Sequence, residues 1–196
     1  RYAFELAKTR ARKKVTSATK SNGITFTMPY WDERFAEMAK NYPGITTDQF
    51  HIDILCAHFV QHPDWFDVVV GSNLFGDILS DLGPAVAGSI GIAASANINP
   101  EKHFPSMFEP VHGSAPDIMG QDKANPLAAI LSAGQMLDYL AEKLGQPAYE
   151  DAAMILDAAI ETGFALNRLR PMEIGGDMGT KAVTLTLSSL MDGKLK

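Results

Sequence analysis

Phe66-Asp-Val-Val-Val-Gly-Ser-Asn-Leu-Phe-Gly-Asp-Ile-Leu-Ser-Asp-Leu-Gly-Pro84 contains a change of period that decides the fold class. Phe66 to Val70 is a short, nearly continuous apolar run of the kind found in parallel strands covered on both faces. Gly71 ends it. Asn73 can cap a helix running to about Gly83, ahead of Pro84. That strand-to-helix unit is the building block of an α/β fold, and the rest of the chain repeats it.

Tyr2 to Arg12 suits the tail of a helix, and Val15 to Thr19 a strand. Trp31 to Tyr42 looks like an amphipathic helix ended by Pro43-Gly44, and Phe50 to Gln61 like another, closed by His62-Pro63. Further helices are expected near Pro126 to Leu144, Glu150 to Asn167 and Thr180 to Met191. Gly and Pro cluster between Gly83 and Pro126, a mostly loop-like stretch of the sort that accompanies a binding site. The domain change is placed near residue 88.

With 196 residues, 46% of them hydrophobic, the chain can bury a proper core. A formal charge of −6 and a pI near 5.3 argue against nucleic acid or an anionic membrane surface as partner, since both need a basic face. The longest uncharged stretch, Leu82 to Pro100, is broken by Gly83, Pro84, Gly88, Gly91 and Asn97, so no transmembrane span is expected. The chain opens on Arg1 without a basic-then-apolar leader, so a cytoplasmic location is expected, with the true start lying upstream. Cys56, the single cysteine, reads as a buried structural thiol.

Asp77 and Asp81 lie four apart, hence on one helix face, where two like charges repel by a few tenths of a kcal/mol. A hard divalent cation, Mg²⁺ or Mn²⁺, would make that spacing sensible. The alternative is a solvated polar face opposite Leu74, Ile78 and Leu82. Asp53 stands in the apolar run Phe50-His-Ile-Asp-Ile-Leu-Cys-Ala57, where a lone carboxylate is costly to bury unless paired or metal-bound. It is either a third ligand or an exposed edge residue. Lys20, just past a strand in Val15-Thr-Ser-Ala-Thr-Lys-Ser-Asn-Gly23, is a candidate acid/base or a solvated charge. Phe108-Glu-Pro-Val-His-Gly-Ser-Ala-Pro-Asp-Ile118 has the composition of a fixed loop wrapped around a ligand, although His112 alone could be an ordinary turn histidine. The Rossmann and Walker fingerprints are absent from the sequence. Asp117 would suit a free ribose diol and repel a 2′-phosphate, which favours NAD over NADP.

Taken in order, Thr16-Ser-Ala-Thr-Lys20-Ser-Asn22, Asn73-Leu-Phe-Gly-Asp77-Ile-Leu-Ser-Asp81, Glu109-Pro-Val-His-Gly-Ser-Ala-Pro-Asp117, Ala124-Asn-Pro126 and Gly175-Gly-Asp-Met-Gly-Thr180 resemble the β-decarboxylating dehydrogenases. That family includes the isopropylmalate, isocitrate, tartrate and D-malate dehydrogenases. The resemblance implies an isocitrate/isopropylmalate dehydrogenase-like three-layer αβα fold, incomplete at the N-terminus. Residues 1–88 would be the second half of the central dimerisation and metal-site domain, and residues 89–196 the C-terminal part of the NAD-binding domain.

By the same resemblance, Asp77 and Asp81 bind Mg²⁺ or Mn²⁺ together with Asp53 from a second subunit, so the site requires a homodimer. The metal would chelate the hydroxyl and α-carboxylate of a small 2-hydroxy dicarboxylate. Lys20 and Asp53 are the implied catalytic residues, Lys20 also reaching across the interface and helping to remove the hydroxyl proton as hydride leaves for the nicotinamide. Decarboxylation then follows because the cation stabilises the enolate left behind. Asn22 would lie close to substrate and cofactor. His112, Gly113, Ser114, Ala115, Pro116, Asp117 and Asn125 would hold the adenosine part of NAD, with Glu109 nearer the nicotinamide.

Members specific for isopropylmalate resemble Asp-Lys-Ala-Asn-Val around the lysine, whereas this chain has Thr19-Lys20-Ser-Asn-Gly23, followed by Met28-Pro-Tyr-Trp-Asp32. This form resembles the tartrate/D-malate branch, with isopropylmalate oxidation as the alternative. The family's substrate-gripping arginines and catalytic tyrosine precede the region seen here, so residues 1–196 alone are expected to lack turnover. A regulatory subunit and an inactive NAD-binding fragment are the readings from other classes. The presence of Lys20, Asp53, Asp77 and Asp81 speaks against the first.

Overall fold

The computed structural model describes residues 1–193, and contacts along the chain divide it into two compact units, Arg1–Val86 and Ala87 onward. The first unit is built on a three-stranded parallel sheet. β1 (Lys14–Thr19) lies in the middle, flanked by β2 (Thr46–His51) and β3 (Val68–Val70). Val15 pairs with Thr47 on one side and Val68 on the other.

β1 is central because it can be buried on both faces: every residue from Val15 to Thr19 is buried. Val15 packs with Phe4, Tyr42 and Val68, and Ala18, on the opposite face by strand alternation, packs with Met28, Leu55, Phe75 and Leu79. The polar members are satisfied. Thr16 donates from Oγ1 to Asp48 Oδ1 at 2.5 Å, and Trp31 Nε1 donates to Ser17 Oγ at 2.9 Å. Helices α1 (Tyr2–Thr9), α2 (Thr27–Lys40), α3 (Ile52–Gln61) and α4 (Asn73–Ala87) supply the covering side chains. Beside β3 an open groove of about 580 Å³ is lined by Phe4, Phe35, Met38, Val68 and Val70 among others.

Several expectations are corrected here. The run expected as one helix from Phe50 to Gln61 is a strand to His51 and a helix only from Ile52. The helix expected from Trp31 begins at Thr27, with Pro29 in its first turn, where the missing N–H costs nothing. α4 does not stop before Pro84 but continues to Ala87. Asn73 is its first residue and turns its amide to Asp77 rather than capping. The face of α4 that meets the core is Phe75 and Leu79, whereas Leu74 and Ile78 are 62% and 42% exposed. Cys56 is half-buried, and burial followed by the nearby Asp53 charge pushes its thiol above the usual range.

The second unit opens with β4 (Ala94–Asn97) and β5 (Met107–Pro110), an antiparallel pair inside the stretch expected to be mostly loop. Helices α5 (Leu127–Leu144), α6 (Pro147–Ala165) and α7 (Thr180–Met191) follow. Gly145 in the left-handed region ends α5, and Pro147 starts α6. α6 therefore begins three residues before the expected Glu150. Leu127, Ile160, Leu169, Val183, Leu187 and Leu190 form the core. Among the described residues no helix is long and apolar enough to cross a membrane.

Candidate active site

Lys20 follows directly on β1, and the chain turns there because Gly23 and Ile24 both donate their backbone N–H to the Lys20 carbonyl, at 3.0 and 2.8 Å. The turn leaves Asn22 exposed and carries the lysine to the end of the sheet. Lys20 Nζ lies 2.8 Å from Asp53 Oδ1. Asp53 sits in the first turn of α3, where the helix dipole favours an anion, and its side chain is 66% exposed. Of the apolar neighbours that suggested burial, Leu55 is fully buried and Phe50, Ile52 and Cys56 pack partly against the core, while Ile54, like Asp53, is exposed. The hydrogen bond from Lys20 is the main cause holding the Asp53 carboxyl below the usual range; its own and Ile54's backbone N–H groups add to it.

Asp77 and Asp81 stand one turn apart on α4, both exposed. Asn73 Nδ2 donates to Asp77 Oδ2 at 3.3 Å, and Asp81 has no hydrogen-bond or ion-pair partner among the described residues. The same helix carries exposed Leu74 and Ile78. Among the described residues no three Asp, Glu, His or Cys side chains gather as a metal-ligand set. The chain thus joins Lys20 to Asp53 and sets Asp77 beside Asp81, but does not bring Asp53 to that pair. Two un-neutralised hard oxygen donors fit two positions of a Mg²⁺ or Mn²⁺ shell and leave the rest to other ligands.

In the second unit, Glu109 is exposed on β5, paired with Ser95 of β4. The loop that follows is tied at its start by Val111 N–H to the Ala93 carbonyl at 3.0 Å. His112 Nδ1 lies 2.9 Å from the Gly113 carbonyl. Gly113, Ser114, Ala115, Pro116 and Asp117 are exposed, and Ala115 adopts φ +45°, just before a 3₁₀ turn at Pro116–Ile118. The backbone N–H groups of Gly113, Ser114 and Ala115 have no acceptor among the described residues. A row of unclaimed backbone donors on an exposed loop fits the polar groups of a dinucleotide.

Asn125 differs from the rest of its motif in being buried, at 8% exposure. Its Oδ1 accepts from Leu127 N–H at 3.2 Å at the start of α5, and its Nδ2 donates to Glu173 Oε2 at 3.2 Å. Asp122 Oδ1 accepts from Lys181 N–H at 2.9 Å and Thr180 Oγ1 donates to the Ala124 carbonyl at 2.5 Å, so the start of α7 holds the end of the loop. Sequence reasoning passed over Glu173, which lies in a 3₁₀ turn at Met172–Ile174 and carries no local signal beyond its charge.

The isocitrate/isopropylmalate dehydrogenase family model matches residues 1–188. The chain is 63% identical over 161 residues to the D-malate dehydrogenase (decarboxylating) of Escherichia coli strain K12, covering 82% of this chain and 44% of that relative. It is 55% identical to the tartrate dehydrogenase/decarboxylase of Pseudomonas putida, covering 97% of this chain and 52% of the other. The crystal structure of isocitrate dehydrogenase from Methylococcus capsulatus superposes with a TM-score of 0.87 at 36% identity, over 97% of this chain and 54% of that one. The chain therefore spans about half the length of the relatives it matches.

Proposed function

Since this chain belongs to the isocitrate/isopropylmalate dehydrogenase family, we propose that the full-length protein performs NAD- and divalent-metal-dependent oxidative decarboxylation of a small 2-hydroxy dicarboxylic acid, D-malate or tartrate. The observation that carries this reading is the joint placement of Lys20 on Asp53 and of Asp77 beside Asp81, in a chain most similar among these relatives to D-malate and tartrate enzymes.

In this reading Asp77 and Asp81 hold Mg²⁺ or Mn²⁺ with Asp53 supplied by the second copy of a homodimer. Exposed Leu74 and Ile78 on the same helix support a covered face there. The absence of a complete ligand set within one chain's described residues fits a site shared between two chains. When bound, the cation would supply Lewis-acid stabilisation of negative charge on substrate oxygen, and the dinucleotide would supply a hydride acceptor. Lys20 of that same second copy, its ammonium held by Asp53, would exchange the substrate hydroxyl proton, with Asn22 as a further polar contact. Residues 112–117 and Asn125 hold the adenosine half of NAD, with Glu109 towards the nicotinamide. We assign residues 1–88 to the metal-site and dimerisation domain and the remainder to the NAD-binding domain, and the protein to the cytoplasm.

Gly23 supports the choice of substrate. A Cβ built at Gly23 would lie 3.6 Å from Lys20 Cε, so a branched side chain here would rest on the lysine stem. Its absence removes an apolar contact next to the reacting group and leaves space for a polar substituent. The test is NAD reduction by the full-length protein with D-malate, tartrate and isopropylmalate in the presence of Mn²⁺. Higher specificity constants for D-malate or tartrate are expected. Preference for isopropylmalate would overturn the branch, and no turnover with any of the three would overturn the activity.

A further inference from the structure

The Glu173 carboxylate joins two segments far from it in sequence. Its Oε1 accepts the backbone N–H of Gly91 at 2.9 Å, a donor shared with Ser89 Oγ at 3.0 Å, and its Oε2 accepts from Asn125 Nδ2 at 3.2 Å. Gly91 is buried, and a Cβ there would stand 1.9 Å from Glu173 Oε2 and 2.9 Å from Asn125 Cβ, so three segments meet with no space to spare. Gly91 lies two residues before Ala93, whose carbonyl ties down Val111 at the start of the ligand loop. Asn125 is the end of that loop. One carboxylate therefore bonds the end of the 111–125 loop directly, at Asn125, and its start only through the Gly91–Ala93 segment to which Val111 is tied. It also fixes the tilt of the Asn125 amide: Oδ1 is committed to Leu127 N–H, one Nδ2 hydrogen to Glu173, and a single N–H is left to offer.

We propose that Glu173 is a positioning residue for the dinucleotide, holding the 111–125 loop closed at its base and aiming the remaining Asn125 donor. The inference rests on the reading of that loop as the NAD site. Glu173 touches no reacting group, so it acts on cofactor affinity and not on the chemical step.

The experiment compares Glu173→Ala, Glu173→Gln and, as a control on the same turn, Met172→Ala in the full-length protein. NAD binding is measured by calorimetric titration, and exchange of the Gly91 amide hydrogen is followed without ligand. Glu173→Ala should weaken NAD by about tenfold, the loss expected for one charge-assisted ordering bond, with kcat unchanged and Gly91 exchange accelerated. Glu173→Gln, which keeps one acceptor oxygen, should fall in between, and Met172→Ala should bind NAD like the parent. Parental NAD affinity in Glu173→Ala would overturn the proposal, as would an equal loss in Met172→Ala. If the parent protein binds no NAD, the cofactor reading fails instead, and Gly91 exchange still reports whether Glu173 closes the loop.

Discussion

Replacing Asp81 by Asn should change the stability of the full-length protein in opposite directions with and without Mn²⁺. Without metal, Asp77 and Asp81 are like charges one turn apart on an exposed helix face, and α4 has no basic residue in its last turn to offset them. Such a pair costs about 0.3 kcal/mol at low salt, so Asp81→Asn should stabilise the metal-free protein by about that much. At Mn²⁺ a hundredfold above its dissociation constant, the parent gains about 2.7 kcal/mol by mass action. If losing one carboxylate weakens the ion by about a hundredfold, the variant gains only about 0.4 kcal/mol at the same concentration. The order of stability then inverts, the variant falling about 2 kcal/mol below the parent once the repulsion it escapes is subtracted.

Thermal unfolding with and without Mn²⁺ reads both numbers, with Asp64→Asn as an exposed acidic control away from α4. A difference of about 2 kcal/mol corresponds to a relative midpoint shift of roughly 4–8 °C for a chain of this size and proportionally less for a longer one. An unchanged Mn²⁺ increment in Asp81→Asn would refute the metal reading and leave the pair as a solvated face. A loss of stability in the metal-free variant would refute the repulsion argument.

Three further outcomes are expected. Gly23→Val restores an apolar contact beside Lys20 and should shift the isopropylmalate to D-malate specificity ratio upward by about tenfold or more, the worth of a few methyl contacts; an unchanged ratio in initial-rate assays would show that position 23 does not face the substrate. Arg170, hydrogen-bonded to Asp177 at 3.0 and 3.1 Å, is the first cause holding the Asp177 carboxyl below its usual range. Because the folded pKa is the lower one, the stabilisation is present above the ordinary carboxylate pKa and lost as pH falls through the folded value, so Asp177→Asn should lose stability at pH 7 and converge with the parent in strong acid. Gly163→Ala gains about 1 kcal/mol of helix propensity but puts a Cβ 2.5 Å from Leu169 Cδ1 and 3.0 Å from Leu190 Cδ1 in the buried core. Overpacking of about 1–3 kcal/mol should win, and a higher urea midpoint would refute it.

Where local pattern and tertiary role coincide, the sequence was readable. β3 is apolar because it is covered, β1 carries only small and β-branched residues over its covered length from Val15 to Thr19, and α5 and α7 announce themselves by period and by Gly145 at a stop. β2 was hidden for a physical reason: it is an edge strand with Thr46, Thr47 and Gln49 exposed, so burial imposes no alternation on it. Its last residues, Phe50 and His51, run straight into the apolar residues of α3, and the change from strand to helix leaves no break in hydrophobicity. Pro84 misled in the other direction. Only three residues of α4 follow it, so the helix forgoes few bonds by continuing. On that helix two apolar stripes, Leu74-Ile78 and Phe75-Leu79, are offset by one residue, and the sequence contains nothing that says which one meets the sheet.

The site shows the same division between chemistry and support. Asp77, Asp81, Lys20 and Asp53 became candidates on local pattern that left a solvated charge equally open, two like charges on one face, a cation at a strand end and a carboxylate in an apolar run, and only the resemblance of their motifs gave them roles. Asn125 was found for its motif, yet its burial and its bond to Leu127 N–H depend on α5 folding behind it. Glu173 violates no local rule, since an acid in a Pro-Met-Glu-Ile-Gly turn is ordinary surface composition. Its partners lie 48 and 82 residues upstream, and only the fold brings them within reach. A residue whose task is to hold others in place is legible from its contacts, because the charge that identifies it is spent on groups no window of sequence contains.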